Sequence, residues 1–318
     1  MDIWSFIKKE ISDNNNIVLI TVVERNGSSP GVVGFKMAVS ETSAMTGSIG
    51  GGVMEYNMVE LAKKTAISGE QTSFIKKQIH NPDAGKDKSG LICSGEQTHA
   101  FIPINNSNVD IINNILSILD KGKNGALTLS QDGLSFDKDK TFSENIKFQF
   151  IDDNGWKYQE QIGIKPSLYI FGAGHVSIPI SQIFRVLDFT VMVYDNRDEL
   201  STFENNQYAH SKEIIDFKKV SDLVPEGEDS YAVIMTVGHK SDELILEQLA
   251  PKKLKYLGMI GSKNKVKNIF ESLKNKGVSE DDLAKVDAPI GISINSKTTP
   301  EIAISIAAKV IQVKNDDK

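Results

Sequence analysis

The chain has a single cysteine, Cys93. One thiol excludes an intramolecular disulfide and any cysteine-rich zinc site. Long apolar runs are missing as well: the longest are strand-sized, well short of the roughly 20 residues a membrane-spanning helix requires. Positive charge is not in surplus, because Lys+Arg 36 against Asp+Glu 42 leaves a net charge of -6. No general basic field therefore draws the chain to nucleic acid. The opening MDIWSFIKKEISDNNN has neither a long apolar core nor a small-residue cleavage site. No signal peptide is expected, and the chain is assigned to the cytoplasm. Arginine is scarce, with only Arg25, Arg185 and Arg197 among the basic residues. Lysine cannot offer a planar fork to phosphate or carboxylate, so an arginine beside a ligand loop is informative here.

What is present fits a folded protein. A hydrophobic fraction of 40% and a charged fraction of 25% are ordinary for a globular chain. The length of 318 residues, at about 150 residues per domain, predicts two domains. Turn chemistry and short alternating segments between Lys121 and Lys165 (GALTLS, IKFQFID, WKYQEQI) read as antiparallel strands closing the first. A boundary at Ile164-Lys165-Pro166-Ser167 follows, because Pro starts the next strand with φ already fixed. The expected domains are residues 1–164 and 165–318.

In the first domain, Asp2 to Ser12 reads as an amphipathic helix and Ile17 to Glu24 (IVLITVVE) as a buried strand. Arg25 to Gly31 is a loop, and Lys36 to Val39 with Ser43 to Ile49 suggests a hairpin. A helix follows Gly50-Gly51-Gly52, with apolar Met54, Met58, Leu61 and Ala62 at helical spacing. Phe74 to Ile79 and Gln97 to Ile104 read as strands, and Val109 to Leu119 as a helix. After the boundary the rhythm becomes strand–helix alternation, with strands at Ser167–Phe171, Thr190–Tyr194, Tyr231–Val237 and Tyr256–Met259. Helices are expected at Val176–Leu187, Leu244–Leu249, Asn264–Lys276 and Pro300–Val313. The fold class is therefore α/β: an N-terminal mixed α/β domain, then a Rossmann-like doubly wound parallel sheet.

Phe171-Gly172-Ala173-Gly174-His175-Val176-Ser177 lies between a strand and a helix. Gly172 suits the tight turn, and Gly174 lets backbone approach a pyrophosphate at the helix N-terminus. Ser177 replaces the third glycine, which implies looser helix–strand packing there. Asp195, ending the next strand, meets the requirement for an acid about 20 positions on. It favours a free ribose diol, whereas Arg197 suits a 2′-phosphate or lies on a solvated loop. His175 and His239 both fall at the carboxyl edge where open sheets bind ligands. Gly261 and Ser262, after another strand and before a helix, mark a further anion site.

In the first domain, Gly50, Gly51 and Gly52 precede a helix and form a candidate anion cradle. Glu55 is then either a first-turn acid favoured by the helix dipole or a carboxylate facing the ligand. Cys93, followed by Ser94 and Gly95, reads as a loop thiol or as a buried small hydrophobe. No metal-ligand set is apparent, Cys93 and His99 being too few.

Together GSSP (27–30), GSIGGGVME (47–55), the Cys93 loop, GAGH (172–175), GMIGSKNK (258–265) and the C-terminal APIGISI…TTPEIAISIAAKVI resemble the XdhC/CoxI family. These are accessory factors of xanthine dehydrogenase and related molybdenum hydroxylases. The resemblance implies a typical N-terminal domain and a C-terminal Rossmann domain. It further implies binding of molybdenum cofactor (molybdopterin), protection while a cysteine desulfurase supplies the terminal sulfur, and delivery to a xanthine dehydrogenase-type molybdenum hydroxylase. Ser28, Ser29, Gly50, Gly51, Gly52 and Glu55 become cofactor-binding candidates, with Cys93 facing sulfur or molybdenum. NAD(P) or a pterin dinucleotide is expected at Gly172, Gly174, His175, Asp195, Arg197, His239, Gly261 and Ser262, and a homodimer is expected. The family loop reads Cys-Gly-Gly, whereas Ser94 adds a side chain here. The leading expectation is a carrier rather than a turnover enzyme. The alternative is an NAD(P)-dependent oxidoreductase with His175 or His239 as proton carrier.

Overall fold

A computed structural model describes residues 2–79, 95–142, 145–152 and 155–316. The chain divides into two compact units, Met1–Ile164 and Lys165–Lys318.

The first unit runs α1 (Ile3–Ser12), β1 (Ile17–Asn26), β2 (Lys36–Ser40), β3 (Met45–Gly47), α2 (Gly52–Ser68), β4 (Phe74–Ile79), β5 (Glu96–Ile104) and α3 (Val109–Asp120). It ends with β6 (Gly125–Ser130), β7 (Gly133–Asp137), β8 (Ile146–Asp152) and β9 (Gly155–Ile162). One antiparallel sheet has the order β3-β2-β1-β5-β4, and a second has the order β7-β6-β9-β8. Side chains alternate across a strand, and β1 uses both faces. Ile17, Leu19 and Val23 join a core with Trp4, Ile7 and Ile11 of α1, Ile112 and Ile115 of α3, and Trp156 and Tyr158 of the second sheet. Val18, Ile20 and Val22 join Met54, Met58 and Ala62 of α2 and Phe101 of β5. Covered on both sides, β1 carries an unbroken apolar run instead of alternation.

The second unit runs β10 (Ser167–Phe171), α4 (Ser177–Val186), β11 (Thr190–Asp195), α5 (Ser201–Glu204), β12 (Ser211–Ile214), β13 (Gly227–Ile234), α6 (His239–Leu249) and β14 (Leu254–Met259). α7 (Lys263–Asn275), α8 (Glu280–Ala284) and α9 (Thr299–Asn315) complete it. All strands are parallel, in the order β12-β11-β10-β13-β14. Leu168, Ile170, Val191 and Val193 pack against Ile180 and Phe184 of α4 and Ile306 and Val310 of α9. Phe171, Tyr194, Ile234 and Met259 face the opposite way, towards Ile245 and Leu249 of α6 and Ile269 and Leu273 of α7. The helices thus cover both faces, and strand order reverses between β10 and β13. That reversal opens a crevice at the carboxyl ends of the strands.

Several boundaries differ from the sequence reading. β13 starts at Gly227 and stops at Ile234, and α6 starts at His239. The polar residues that open each element hide it from hydropathy. The edge strand β12 (SKEI) is exposed at every position and has no apolar pattern to read.

Candidate functional site

The crevice of the second unit is built by the turn after β10. Gly172 has φ +114°, and a Cβ there would lie 2.3 Å from the Met235 carbonyl oxygen. The turn is pressed against the end of β13, so only glycine fits. Gly174 differs: its φ lies outside the left-handed region, and nothing stands within 4 Å of a Cβ built on it. Neither backbone conformation nor packing within the chain demands glycine at 174. The missing side chain leaves open space in front of α4, whose first amide, Ser177 N–H, turns back to the Gly174 carbonyl at 2.9 Å and whose third residue, Pro179, has no N–H. Ser177 is fully buried, and its hydroxyl donates to the Gly174 carbonyl at 2.7 Å. The third-glycine position is therefore closely packed around a satisfied hydroxyl, which corrects the expected looseness.

Asp195 ends β11 with only 1% of its surface exposed. One carboxylate oxygen, Oδ2, accepts from Ala173 N–H at 2.7 Å and Arg197 Nη2 at 2.8 Å. The other, Oδ1, accepts from Arg197 N–H at 3.0 Å and Nε at 2.8 Å. Burial alone would raise this carboxyl, but the Arg197 guanidinium and the two amides outweigh it and hold the group below its ordinary value. In this conformation Asp195 ties the glycine turn to the end of β11. A ribose diol would have to share these oxygens with Arg197, and a 2′-phosphate would draw Arg197 away from Asp195. His175, between Gly174 and α4, and His239, opening α6, are both exposed at this edge. Gly261 follows β14, and the Ser262 side chain caps α7 by accepting from Lys265 N–H at 3.2 Å.

In the first unit the candidate loops converge. The Ser29 hydroxyl donates to Gln97 Oε1, which also accepts from Gly31 N–H at 3.1 Å. Gln97 Nε2 donates to the Ile49 carbonyl at 3.0 Å and meets His99 Nε2 at 3.1 Å. With Oε1 committed to donors, the amide nitrogen faces His99, whose Nε2 is then the acceptor and whose proton sits on Nδ1. A Cβ on Gly50 would lie 2.7 Å from Gly31 N, and one on Gly95 would lie 2.1 Å from the Ser28 carbonyl oxygen. Ser29, Gly31 and Ile49 are thus bonded to one buried amide, with Gly50 packed on Gly31 and Gly95 on Ser28. Sequence reading missed Gln97. Its signal was a pair of polar residues, Gln97 and His99, on one face of a strand that is apolar from Ala100 onwards.

The glycine cradle is filled from within. Gly50, Gly51 and Gly52 all have positive φ. Oε2 of Glu55 accepts from Ile49 N–H at 2.8 Å, Gly51 N–H at 3.0 Å and the Ser48 hydroxyl at 2.8 Å. Burial opposes ionisation of Glu55, yet these donors prevail and hold its carboxyl below its ordinary value. The expected open cradle at Gly50–Gly52 is therefore corrected: Glu55 supplies the anion, and it faces its own loop rather than a ligand. Cys93 and Ser94 lie outside the described residues. Among the described residues, no group of three or more His, Cys, Asp or Glu could hold a metal ion, and no helix is long and apolar enough to cross a membrane.

Comparison with known proteins agrees with this architecture. The chain is 24% identical over 320 residues to the uncharacterized protein YqeB of Escherichia coli, matching 99% of this chain but 47% of that protein, so it spans about half its length. It is 22% identical to a probable xanthine dehydrogenase subunit of Bacillus subtilis, covering 96% of this chain and 95% of the other. A crystal structure described as a xanthine dehydrogenase from Bacillus halodurans superposes with a TM-score of 0.73 at 23% identity, covering 100% of this chain and 97% of that one. At that identity the match establishes the fold. Residues 11–76 match the model of the XdhC and CoxI family, and residues 168–310 match the XdhC Rossmann domain. With both units matched in order, the chain belongs to the XdhC and CoxI family.

Proposed function

We propose that the chain is an accessory factor for a xanthine dehydrogenase-type molybdenum hydroxylase, holding molybdenum cofactor during sulfuration by a cysteine desulfurase and delivering it to the apo-enzyme. The observation that carries the reading is the open space at Gly174, at the mouth of a switch-point crevice in a chain of this family. A phosphate or pyrophosphate on the cofactor suits that space, with the amides of Gly174 and His175 as its donors, those of Gly172, Ala173 and Ser177 being bonded within the chain. The loop at Gly50–Gly52 does not fit an anion while Glu55 fills it. The cofactor supplies a dithiolene-bound metal that accepts a terminal sulfur, and the lone thiol, Cys93, is proposed as a soft donor in that chemistry. The role is carriage, with affinity and handover as its work.

The test is to purify the chain, identify bound small molecules by mass spectrometry, and assay activation of an apo-hydroxylase. A bound pterin is expected, and Cys93→Ala is expected to keep the fold while losing transfer of active cofactor. Normal activation by that variant removes Cys93 from the reading. A bound nicotinamide dinucleotide with substrate-dependent hydride transfer replaces the carrier with an oxidoreductase.

A further inference from the structure

On the far side of the same crevice from Asp195 lies an ion pair that the glycine fingerprint does not include. Asp242 in the first turn of α6 is fully buried. Its Oδ1 accepts from Thr236 N–H at 3.0 Å and the Thr236 hydroxyl at 2.6 Å. Its Oδ2 pairs with Lys265 Nζ, which also donates to the Ile260 carbonyl at 3.2 Å. Thr236 N is itself 2.9 Å from a Cβ built on Gly172. Gly172, Thr236, Asp242 and Lys265 thus form a continuous chain of contacts from the glycine turn, past the end of β13, to the end of β14.

The arrangement has a direction. The carboxylate is sealed inside, while the lysine side chain keeps 15% of its surface exposed. An ammonium has a further hydrogen to give beyond Asp242 and Ile260. Its stem runs close past Gly261, where a Cβ would lie 3.0 Å from Lys265 Cδ. Beyond Gly261 a cleft of about 210 Å³ is walled by Ile260, Ile290, Ile292, Ile294 and Ile302.

We infer that Lys265, positioned by Asp242, receives the second phosphate of a pyrophosphate-containing nucleotide bound across the switch point. The first phosphate and its nucleoside lie on the Gly174 and Asp195 side. The inference rests on the reading of the crevice as a ligand site and adds to it the residue that meets the second phosphate. A dinucleotide coenzyme and a pterin dinucleotide share this bridge.

ADP and AMP separate the two sides, because only ADP carries the second phosphate. Calorimetric titration of the full chain is expected to show ADP binding at least tenfold tighter than AMP. Lys265→Met should bring ADP down to the AMP level and leave AMP binding unchanged, and Lys265→Arg should restore the preference. Removing the lysine alone strands a buried carboxylate. The double variant Lys265→Met with Asp242→Asn therefore serves where the single variant does not fold, and the same loss of preference is expected. NAD+ and free molybdopterin-type pterin dinucleotide, titrated in parallel, distinguish the sources of the bridge. A preserved ADP preference in a folded variant overturns the role of Lys265, as does an equal loss of both nucleotides. If the unaltered chain binds neither ADP nor AMP, the nucleotide reading of the crevice itself fails.

Discussion

Two glycines two residues apart give the most direct test of the crevice. Replacing Gly172 with alanine places a methyl 2.3 Å from Met235 O, 2.6 Å from Met235 C and 2.9 Å from Thr236 N, at φ +114°. All three neighbours are backbone, so none can rotate away. A non-glycine residue in such a region costs about 1–3 kcal/mol, and overpacking against fixed neighbours adds roughly 1–3 kcal/mol. A combined loss of roughly 2–6 kcal/mol is a large share of the ~5–15 kcal/mol that holds a domain together. In the unit Lys165–Lys318 it corresponds to a fall on the order of 10 °C in melting temperature. Gly174→Ala meets nothing within 4 Å and should stay within about 0.5 kcal/mol of the parent. Its cost should appear in ligand binding instead. Urea and thermal unfolding, followed by circular dichroism on the full chain, measure the first effect, and titration with ADP measures the second. Equal destabilisation by the two substitutions would refute the assignment of Gly172 to packing and Gly174 to the ligand.

Glu55 and Gln97 provide two further tests in the first unit. Glu55→Gln keeps an acceptor but loses the charge, at an expected cost of about 1–2 kcal/mol for charge-assisted bonds. Because the folded carboxyl lies below its ordinary value of 4.5, its contribution is complete above that pH and disappears as pH falls through the lowered folded value. The stability gap between parent and variant should therefore close on acidification, and a gap constant from neutral pH into strong acid would contradict the filled cradle. Gln97→Leu removes the partner of Gly31 N–H and the Ile49 carbonyl; each buried group left unpaired costs about 1–3 kcal/mol. A loss of at least roughly 2 kcal/mol is expected on those grounds in equilibrium denaturation. A near-neutral result would mean that water or a neighbouring group replaces the amide.

Much of the fold was legible because its signals are local. The apolar run of β1, strand–helix alternation after Pro166, and a glycine turn followed by an acid at 195 each follow from short-range chemistry. The site was legible only in part. Asp195 stands where the fingerprint places it, but its engagement by Arg197 depends on how a residue two positions on folds back. Glu55 read either as a first-turn acid or as a carboxylate facing a ligand; that it fills its own loop depends on three consecutive glycines with positive φ. Gln97 contacts loops 48 and 66 residues away in sequence, and no periodicity encodes such a partner. Lys265 was one letter in a lysine-rich helix until Asp242 picked it out.

The amide of Gln97 acts as a shared pin for the first unit's loops. Gly31, Ile49 and Ser29 hang on its two ends, so moving any one of them away breaks a bond to the shared amide. Widening this region costs hydrogen bonds at that amide. Two loops distant in sequence are thus tethered through one uncharged side chain.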